Sequence, residues 1–407
     1  MQSMRYVSTR GESEVSTFTE AMLAGLAPDG GLFVPDTTPP LPLDWEDWSY
    51  RDAVSGSLKL FGAESVDLLV DEAAARFDHA DVAPIVTVGD RLVLELFWGP
   101  TLSFKDHALQ VLGRLLAREV DEGVVLGATS GDTGSAAIEA CRGRDSLRIV
   151  ILYPEGKVSD FQRRQMTTVA DENVHAIAVR GTFDDCQAMV KEAFSAHPEL
   201  LAINSINWAR IAVQVGYYIY AGARLGGEFD VAVPTGNFGN VFSCWTAKQM
   251  GVPIGEITIA NNANHALAKL VEEGVMRPSE VVATIAPAMD IQVPSNLERF
   301  SADPTAEFRA GWSTDTEIAD TIAAVYSNHD YVLDPHTATA WRAARPRPGT
   351  PMLIVGTAHP AKFAEAVTSA IGMRPTAPPR FEGMAALEER TRSIDPRVSE
   401  LESLLRY

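Results

Sequence analysis

Apolar and polar positions follow one another along the chain in a rhythm typical of alternating strands and helices. From residue 120 onward, the apolar runs "GVVLGA", "LRIVILYP" and "VHAIAV" are separated by helical stretches such as "SAAIEACRG". The same rhythm returns with "FDVAVP", "ITIANN" and "PMLIVG". Short apolar runs that alternate with helices predict parallel β-strands in sheets that are covered on both faces. Two alternating runs around Gly89 and Asp90, in "IVTVGDRLVLELF", predict a β-hairpin.

The predicted elements divide the chain into four parts. Residues 1–84 contain the turn-rich "APDGGLFVPDTTPPLP" and are predicted to form a small N-terminal domain. Residues 85–120 and 226–374 are predicted to form a large α/β domain, and 121–225 a smaller, mobile α/β domain. Proline residues followed by a charged stretch at 375–407 predict a linker and a helix. The predicted fold class is α/β, with two open, twisted, mostly parallel sheets, a small N-terminal domain and a helical C-terminal tail.

Three predicted strands end in loops of glycine and small polar residues that open a helix, where open α/β sheets gather ligand groups. In "VAVPTGNFGN" the loop consists of Gly236, Asn237, Phe238, Gly239 and Asn240. Its glycines let main-chain N–H groups approach an anion, and the dipole of the following helix favours a phosphate. The loop lacks the residues that define ATP-binding and dinucleotide-binding motifs. Taken alone, it is equally well interpreted as an ordinary strand-to-helix turn.

The other two loops offer hydroxyl groups. In "ATSGDTGSA", the residues Ser130, Asp132 and Thr133 stand at the start of a predicted helix, where they could hold a carboxylate or cap the helix. In "IVGTAHPAKF", a strand ends at Thr357. A threonine hydroxyl can donate to, or accept from, a ring nitrogen without adding charge.

A charged lysine, Lys105, follows the apolar "LSF" in "WGPTLSFKDHAL", at the predicted start of a helix. Ser103 and Asp106 have the spacing of a capping box, with Ser103 as the N-cap residue. A partly buried lysine at the positive end of a helix dipole has a lowered pKa, as a Schiff-base lysine requires. A solvated lysine in a first turn is the alternative, and this stretch alone favours it.

Charge and cysteine content narrow the possible functions. The 407 residues carry a formal net charge of −20, which argues against binding to nucleic acid or to an anionic membrane. An anionic ligand must then be met by a few local cations or main-chain N–H groups. Three cysteines without C-x-x-C spacing, and histidines without ligand spacing, predict neither disulfides nor a bound metal. The polar N-terminus and the lack of a long apolar run predict a cytoplasmic protein.

A series of short motifs, in order, resembles the threonine synthase family of fold-type II pyridoxal-phosphate enzymes over nearly the full chain. The motifs are "DGGLFVP", "GPTLSFKD", "TSGDTGSAA", "YPEGKVSDFQRRQM", "GTFDDCQ", "NSINWARI", "PTGNFGN", "PAMDIQVPSN", "DPHTA" and "GTAHPAKF". The resemblance implies that pyridoxal 5′-phosphate is the cofactor and that Lys105 forms its Schiff base and moves protons. It implies that the Gly236–Asn240 loop holds the cofactor phosphate and that Thr357 faces the pyridine nitrogen.

The resemblance also implies a substrate site and a reaction. Asp132, with Ser130 and Thr133, would line the cofactor O3′ and the substrate carboxylate. In "NSINWARI", the residues that would bind the substrate phosphate are Ser205, Asn207 and Arg210. The family reaction converts O-phospho-L-homoserine and water into L-threonine and phosphate, by γ-elimination followed by β-addition of water, in the last step of threonine biosynthesis. The expected enzyme is a lyase, and either a monomer or a homodimer.

Two residues depart from the family pattern near the presumed cofactor, namely Trp98 and His107. We interpret them as altered packing of the pocket wall, with a changed substrate as the alternative. A related enzyme that eliminates or replaces a β- or γ-substituent of another amino acid therefore stays open, as does a non-catalytic ligand binder. On a later helix, Tyr217, Tyr218 and Tyr220 are predicted to pack in the core.

Overall fold

The predicted strands form three sheets in the computed structural model, which describes residues 4–15 and 17–406. The strands are β1 (Tyr6–Ser8), β2 (Glu14–Val15), β3 (Phe33–Pro35), β4 (Ile85–Val88), β5 (Arg91–Glu95), β6 (Gly123–Ala128), β7 (Leu147–Pro154), β8 (Val174–Val179), β9 (Leu201–Ala202), β10 (Phe229–Pro234), β11 (Ile254–Asn261), β12 (Phe308–Trp312), β13 (Met352–Gly356) and β14 (Thr391–Ile394). The helices are α1 (Phe18–Ala24), α2 (Tyr50–Leu60), α3 (Asp67–Ala74), α4 (Lys105–Glu119), α5 (Asp132–Cys141), α6 (Asp160–Thr167), α7 (Phe183–Ala196), α8 (Trp208–Leu225), α9 (Gly239–Met250), α10 (Ala266–Glu273), α11 (Pro304–Glu307), α12 (Asp315–His329), α13 (Pro335–Ala343), α14 (Ala364–Ile371) and α15 (Glu402–Leu405).

Two of the sheets are large and mostly parallel. The larger has the strand order β12-β11-β10-β13-β5-β4, and each pairing is parallel except the β4–β5 hairpin. In that hairpin Val88 lies opposite Arg91, so the chain turns at Gly89 and Asp90 as predicted. The smaller sheet, β14-β8-β7-β6-β9, is parallel throughout. The predicted α/β class with two mostly parallel sheets is confirmed.

Helices cover these sheets because the central strands are apolar on both faces. Every residue of β10 is buried, as expected for a strand in the middle of a helix-covered sheet. Helix α8 is also buried along most of its length; Asn207 caps its N-terminus, and Gly226 ends it with a left-handed φ of 65°. None of the helices within residues 4–15 and 17–406 combines the length and apolar content needed to cross a bilayer.

The two ends of the chain extend this framework. Strands β1–β3 form a small antiparallel sheet, and α2 packs against α8. The C-terminal tail ends in the short helix α15 and also contains a strand that the sequence did not predict, because β14 pairs in parallel with β8 at the edge of the smaller sheet. Three of the four residues of β14 are exposed and only Ile394 is buried. An edge strand with so little apolar pattern carries no strand signal in its sequence.

The parallel topology brings together the loops that carry the predicted site residues. Strands β5, β10, β11 and β13 run in the same direction, so the segments that follow them leave one edge of the larger sheet. Segments 129–132 and 203–207 leave the corresponding edge of the smaller sheet, after β6 and β9. The two edges meet where Lys105 contacts Asp132 and where Asn237 contacts Ser205.

Candidate active site

Lys105 is the first residue of α4, and 11% of its side chain is exposed. Its Nζ donates to Asp132 Oδ2 at 3.2 Å, its one hydrogen bond within the described part of the chain. Burial lowers the pKa of Lys105; Asp132 opposes this shift, whereas Lys362 and Arg210 add to it. The amine is therefore less firmly protonated than a surface lysine, which agrees with the Schiff-base interpretation of this stretch and not with the solvated alternative.

The turn before Lys105 is not the predicted capping box. Phe104, rather than Ser103, occupies the N-cap position, and the buried Ser103 hydroxyl has no hydrogen-bond partner. The carboxylate of Asp106 does accept from the main-chain N–H of Ser103 at 3.4 Å, but it accepts at shorter distance from the main-chain N–H and the hydroxyl of Thr101, at 2.8 and 2.7 Å. The predicted role of Ser103 is wrong because Ser103 pairs with Ala358 across a β-bridge, which fixes its backbone by tertiary contact. Burial raises the pKa of Asp106 to about 6.

A second buried lysine, Lys362, shares the carboxylate of Asp132. The Nζ of Lys362 lies 2.9 Å from Asp132 Oδ1, and Gln162 Nε2 donates to the same oxygen at 2.8 Å. Burial raises the pKa of Asp132, but Lys362 and Lys105 outweigh burial and hold this pKa well below its usual range. Sequence reasoning missed Lys362. Its signal was available, because this lysine lies among apolar neighbours after a strand, as Lys105 does.

The Gly236–Asn240 loop lies against neighbouring main chain at the start of α9. A Cβ atom on Gly236 would stand 2.5 Å from the carbonyl oxygen of Ala288, so only glycine fits there. Phe238 has a left-handed φ of 64° and a buried ring, and Gly239 is the first residue of α9. The Asn237 amide donates to Ser205 Oγ, which links the loop to the segment after β9.

Asn240 presents an unpaired donor at this helix N-terminus. Its Oδ1 accepts from the hydroxyls of Tyr217 and Tyr218, the latter at 2.8 Å. Its Nδ2 is buried and has no hydrogen-bond partner in the described part of the chain. Buried polar groups are normally paired, so an orphaned N–H₂ beside free helix N–H groups indicates a place for an anion. The two tyrosines are buried as predicted, and they also orient the donor.

The residues that were predicted to bind the substrate phosphate differ in how completely their hydrogen bonds are satisfied. Arg210 is buried, donates only weakly to Ile203 O at 3.4 Å, and has an unpartnered Nε. Burial lowers its pKa to about 10. The Asn207 amide donates to Met22 O at 2.8 Å and to Ala202 O at 3.0 Å, so both its hydrogens bind main chain. Asn207 holds the start of the helix that carries Arg210, and Arg210 is left as a buried cation without an ion-pair partner among the described residues.

The remaining predicted residues lie in segments next to Lys105 or to its partner Asp132. The carbonyl oxygen of Thr357 accepts from Phe104 N at 2.9 Å, which places the end of β13 beside the residue that precedes Lys105. Ser130 is exposed at the tip of its loop, and Thr133 is half-buried in the first turn of α5. The loop itself is held by Thr129, whose Oγ1 accepts from the N–H groups of Gly131 and Gly134 at 2.9 and 2.8 Å.

The two departures from the family pattern have packing roles. His107 is buried; Tyr50 OH lies 2.6 Å from its Nδ1, and its Nε2 lies 3.2 Å from Leu96 O. Burial lowers the pKa of His107 to about 3, so the ring is neutral, with Nε2–H donating to Leu96 and Nδ1 accepting from Tyr50. Trp98 Nε1 donates to Glu95 Oε2 at 2.8 Å. These contacts favour the packing interpretation, most clearly for His107.

The buried His107 gives a pH prediction. Because its folded pKa of about 3 lies below that of an unfolded histidine, only the unfolded chain binds a proton as pH falls below about 6.5. This group should therefore lower the free energy of unfolding by about 2 kcal/mol between pH 6.5 and 5. His107→Gln can keep both hydrogen bonds without titrating. Urea unfolding at several pH values should show a loss larger in the wild type than in the variant by about 2 kcal/mol, since other histidines such as His359, whose pKa burial also lowers, titrate in both; equal slopes would contradict it.

These residues fit pyridoxal phosphate. The group carries an aldehyde, a phosphate and a ring nitrogen, and the edge offers a buried amine of lowered pKa, Lys105. It also offers Asn240 Nδ2, an unpaired donor beside the first N–H groups of α9. In the loop before this helix, the neighbouring main chain leaves no room for a Cβ at Gly236. The neutral hydroxyl of Thr357 belongs to the same edge.

Comparisons with known proteins agree with this fit. Residues 92–355 match the family model described as pyridoxal-phosphate dependent enzyme, so fold and site define a member of that class. Residues 5–68 and 336–405 match the models of the threonine synthase N terminus and C-terminal part. A threonine synthase of Pseudomonas aeruginosa is 39% identical, with 99% of this chain and 98% of that protein covered. The chain belongs to the threonine synthase family.

Solved structures show the same relationship. The crystal structure of pyridoxal-phosphate-bound threonine synthase from Brucella melitensis has a TM-score of 0.93 and 39% identity, covering 99% of both chains. Threonine synthase from yeast has a TM-score of 0.91 and 33% identity, covering 100% of this chain and 98% of that one. The predicted family, fold type, cofactor and lyase class are thereby confirmed.

Gly236→Ala tests the cofactor loop. The added Cβ would meet the Ala288 carbonyl at 2.5 Å, and both are main-chain segments that cannot move aside as a side chain would. We expect the affinity for pyridoxal phosphate to fall about tenfold or more, because overpacking typically costs 1–3 kcal/mol. Absorbance titration of the apoprotein measures this. Gly227→Ala is the matched control, since its Cβ would meet nothing within 4 Å; equal affinities would contradict the prediction.

Proposed function

We propose that this chain converts O-phospho-L-homoserine and water into L-threonine and phosphate at the edge that carries Lys105. The observation that supports this assignment is the presence there of two buried basic side chains that are incompletely paired among the described residues. Lys105 makes one hydrogen bond, and Arg210 lacks a partner for Nε. A nucleophilic amine for the cofactor and a guanidinium for the substrate phosphate are what this reaction needs.

In this proposal, three segments hold the cofactor. Lys105 binds it covalently, and the Gly236–Asn240 loop takes its phosphate through main-chain N–H groups and Asn240 Nδ2. The neutral hydroxyl of Thr357 would serve the ring nitrogen, which would then have no facing negative charge. When bound, pyridoxal phosphate supplies an electron sink for negative charge at the substrate carbons.

The chain's own groups then bind the substrate and move protons. Arg210 binds the substrate phosphate with Ser205, while Ser130 and Thr133 line the carboxylate side. Because the Asn237 amide donates to Ser205 Oγ, the cofactor loop and the substrate-phosphate segment are coupled. Lys105 Nζ, with its lowered pKa, takes the proton from the substrate Cα and assists loss of a proton from Cβ.

The test measures both products at once. Purified protein is incubated with pyridoxal phosphate and O-phospho-L-homoserine, and phosphate and threonine are quantified together. Equal amounts are expected. Phosphate with 2-oxobutyrate would indicate elimination without controlled addition of water. Faster turnover of O-acetylhomoserine would show that another amino acid is the substrate and would overturn the proposal.

We extend the proposal to organisation and location. Residues 121–225 would form the mobile domain, closing on the body made by 85–120 and 226–374, with 1–84 and 375–407 as the terminal parts. The chain would act as a monomer or homodimer in the cytoplasm, without a nucleic-acid partner. The three cysteines are free and buried, which fits a reducing compartment.

A further inference from the structure

Lys362 is the more firmly held of the two lysines that share Asp132. None of its side chain is exposed. Its Nζ donates to Thr101 O at 2.6 Å and to Gln165 Oε1 at 3.2 Å, and lies 2.9 Å from Asp132 Oδ1. Three acceptors match the three hydrogens of an ammonium group. Lys362 is therefore a fully coordinated cation, whereas Lys105 Nζ makes a single hydrogen bond, at 3.2 Å, among the residues that the structure describes.

These contacts join the two sheets. Lys362 and Thr101 belong to segments that follow β13 and β5 of the larger sheet, within the 3₁₀ turn Pro360–Phe363 and before α4 respectively. Asp132 and Gln165 lie on α5 and α6, which flank strands of the smaller sheet. The ammonium of Lys362 thus lies where the edges meet, and it contacts Oδ1 of Asp132 while Lys105 contacts Oδ2.

Without Lys362, Lys105 would be the one lysine in contact with the Asp132 carboxylate among the described residues. A carboxylate beside an amine favours the protonated form, and a second cation on that carboxylate opposes the effect. The charged groups that face Lys105 are Asp132, Lys362 and Arg210, and burial acts in the same direction as the two cations. His336 faces Asp132 from α13, and the carboxylate of Asp106 faces Lys362.

We propose that Lys362 is a positioning residue that holds Asp132 by Oδ1 and places its positive charge beside both Asp132 and Lys105, so that Lys105 is held less firmly as an ammonium group. This inference rests on the proposed function, because it takes Lys105 as the lysine that binds the cofactor. It gives Lys362 a role in the reaction without contact to the reacting atoms.

The experiment follows capture of pyridoxal phosphate by the full-length apoprotein as a function of pH. Borohydride traps the covalent product, and peptide mass mapping identifies the modified lysine. In Lys362→Met we expect the pH of half-maximal trapping at Lys105 to rise by about one unit or more. Lys362→Arg keeps the charge and should remain close to the wild type. A merely structural role of Lys362 would lower the yield without moving this midpoint.

A second pair of variants lacks the Asp132 carboxylate, so that removal of Lys362 does not leave a buried negative charge without its cation. In Asp132→Asn the midpoint should fall, because Lys105 then faces only cations. Adding Lys362→Met to Asp132→Asn should raise the midpoint back towards the wild-type value. This pair provides the comparison even if Lys362→Met alone does not fold, as judged by circular dichroism.

The outcomes separate the two proposals. Trapping at a lysine other than Lys105 would overturn the residue assignment of the proposed function. If trapping occurs at Lys105 and its half-maximal pH is the same in the wild type, Lys362→Met and Lys362→Arg, the role of Lys362 is overturned and the proposed function stays intact. If Lys362→Met does not fold, equal midpoints in Asp132→Asn and Asp132→Asn/Lys362→Met would overturn that role in the same way.

Discussion

Lys105→Ala should lower kcat by about 10³-fold or more and remove the visible absorbance of covalently bound cofactor. The variant loses the amine that binds the cofactor and the group that moves protons at the substrate carbons. Lys105→Arg should be equally inactive, because guanidinium keeps the charge but is not a nucleophile at neutral pH. Absorbance spectra and assay of phosphate release measure both effects.

The fold should survive this change. Asp132 keeps Lys362 at 2.9 Å and Gln162 at 2.8 Å, so its buried charge stays paired. We expect the free energy of unfolding to change by no more than about 1 kcal/mol. Lys59→Ala, which removes an exposed pair with Asp67, is the control and should leave the spectrum and kcat unchanged. A coloured, active Lys105→Ala protein would show that another lysine binds the cofactor.

Arg210→Met should separate substrate binding from stability. Charge-assisted hydrogen bonds to a phosphate contribute about 1.5–3 kcal/mol each, so loss of two of them should lower kcat/KM for O-phospho-L-homoserine about 100-fold or more. Because the guanidinium is buried without an ion-pair partner within the described chain, its removal should leave the free energy of unfolding unchanged or higher. Steady-state kinetics and urea unfolding measure the two quantities.

A control on the same helix sharpens this test. Arg224 lies in the last turn of α8, with its guanidinium 5.2 Å from the ring centroid of Tyr220. Arg224→Met should keep kcat/KM within about twofold, since it removes a similar side chain far along the helix from Arg210. Wild-type kcat/KM in Arg210→Met, or equal losses in both variants, would contradict the assignment of Arg210 to the substrate phosphate.

Much of the fold follows from local pattern. The apolar runs that end at Ala128, Pro154, Val179 and Pro234 coincide with β6, β7, β8 and β10. Buried parallel strands must be apolar throughout, so their sequence signal is strong. Strand β14 lacks this signal, because it pairs at an edge with mostly exposed residues. The capping prediction for Ser103 failed for a related reason, since a bridge to Ala358 from a distant segment overrides local preference.

The sequence by itself determined the α/β class, the hairpin, the loop at Gly236–Asn240 and the lysine at the start of α4, because each depends on neighbouring residues. The resemblance of its motifs added the family and the cofactor. Only the tertiary structure decided which charged side chains are in contact. Lys105 and Lys362 are 257 positions apart in the printed chain, yet both contact Asp132. Burial removes water as the alternative partner, so pKa and reactivity there depend on contacts between distant segments.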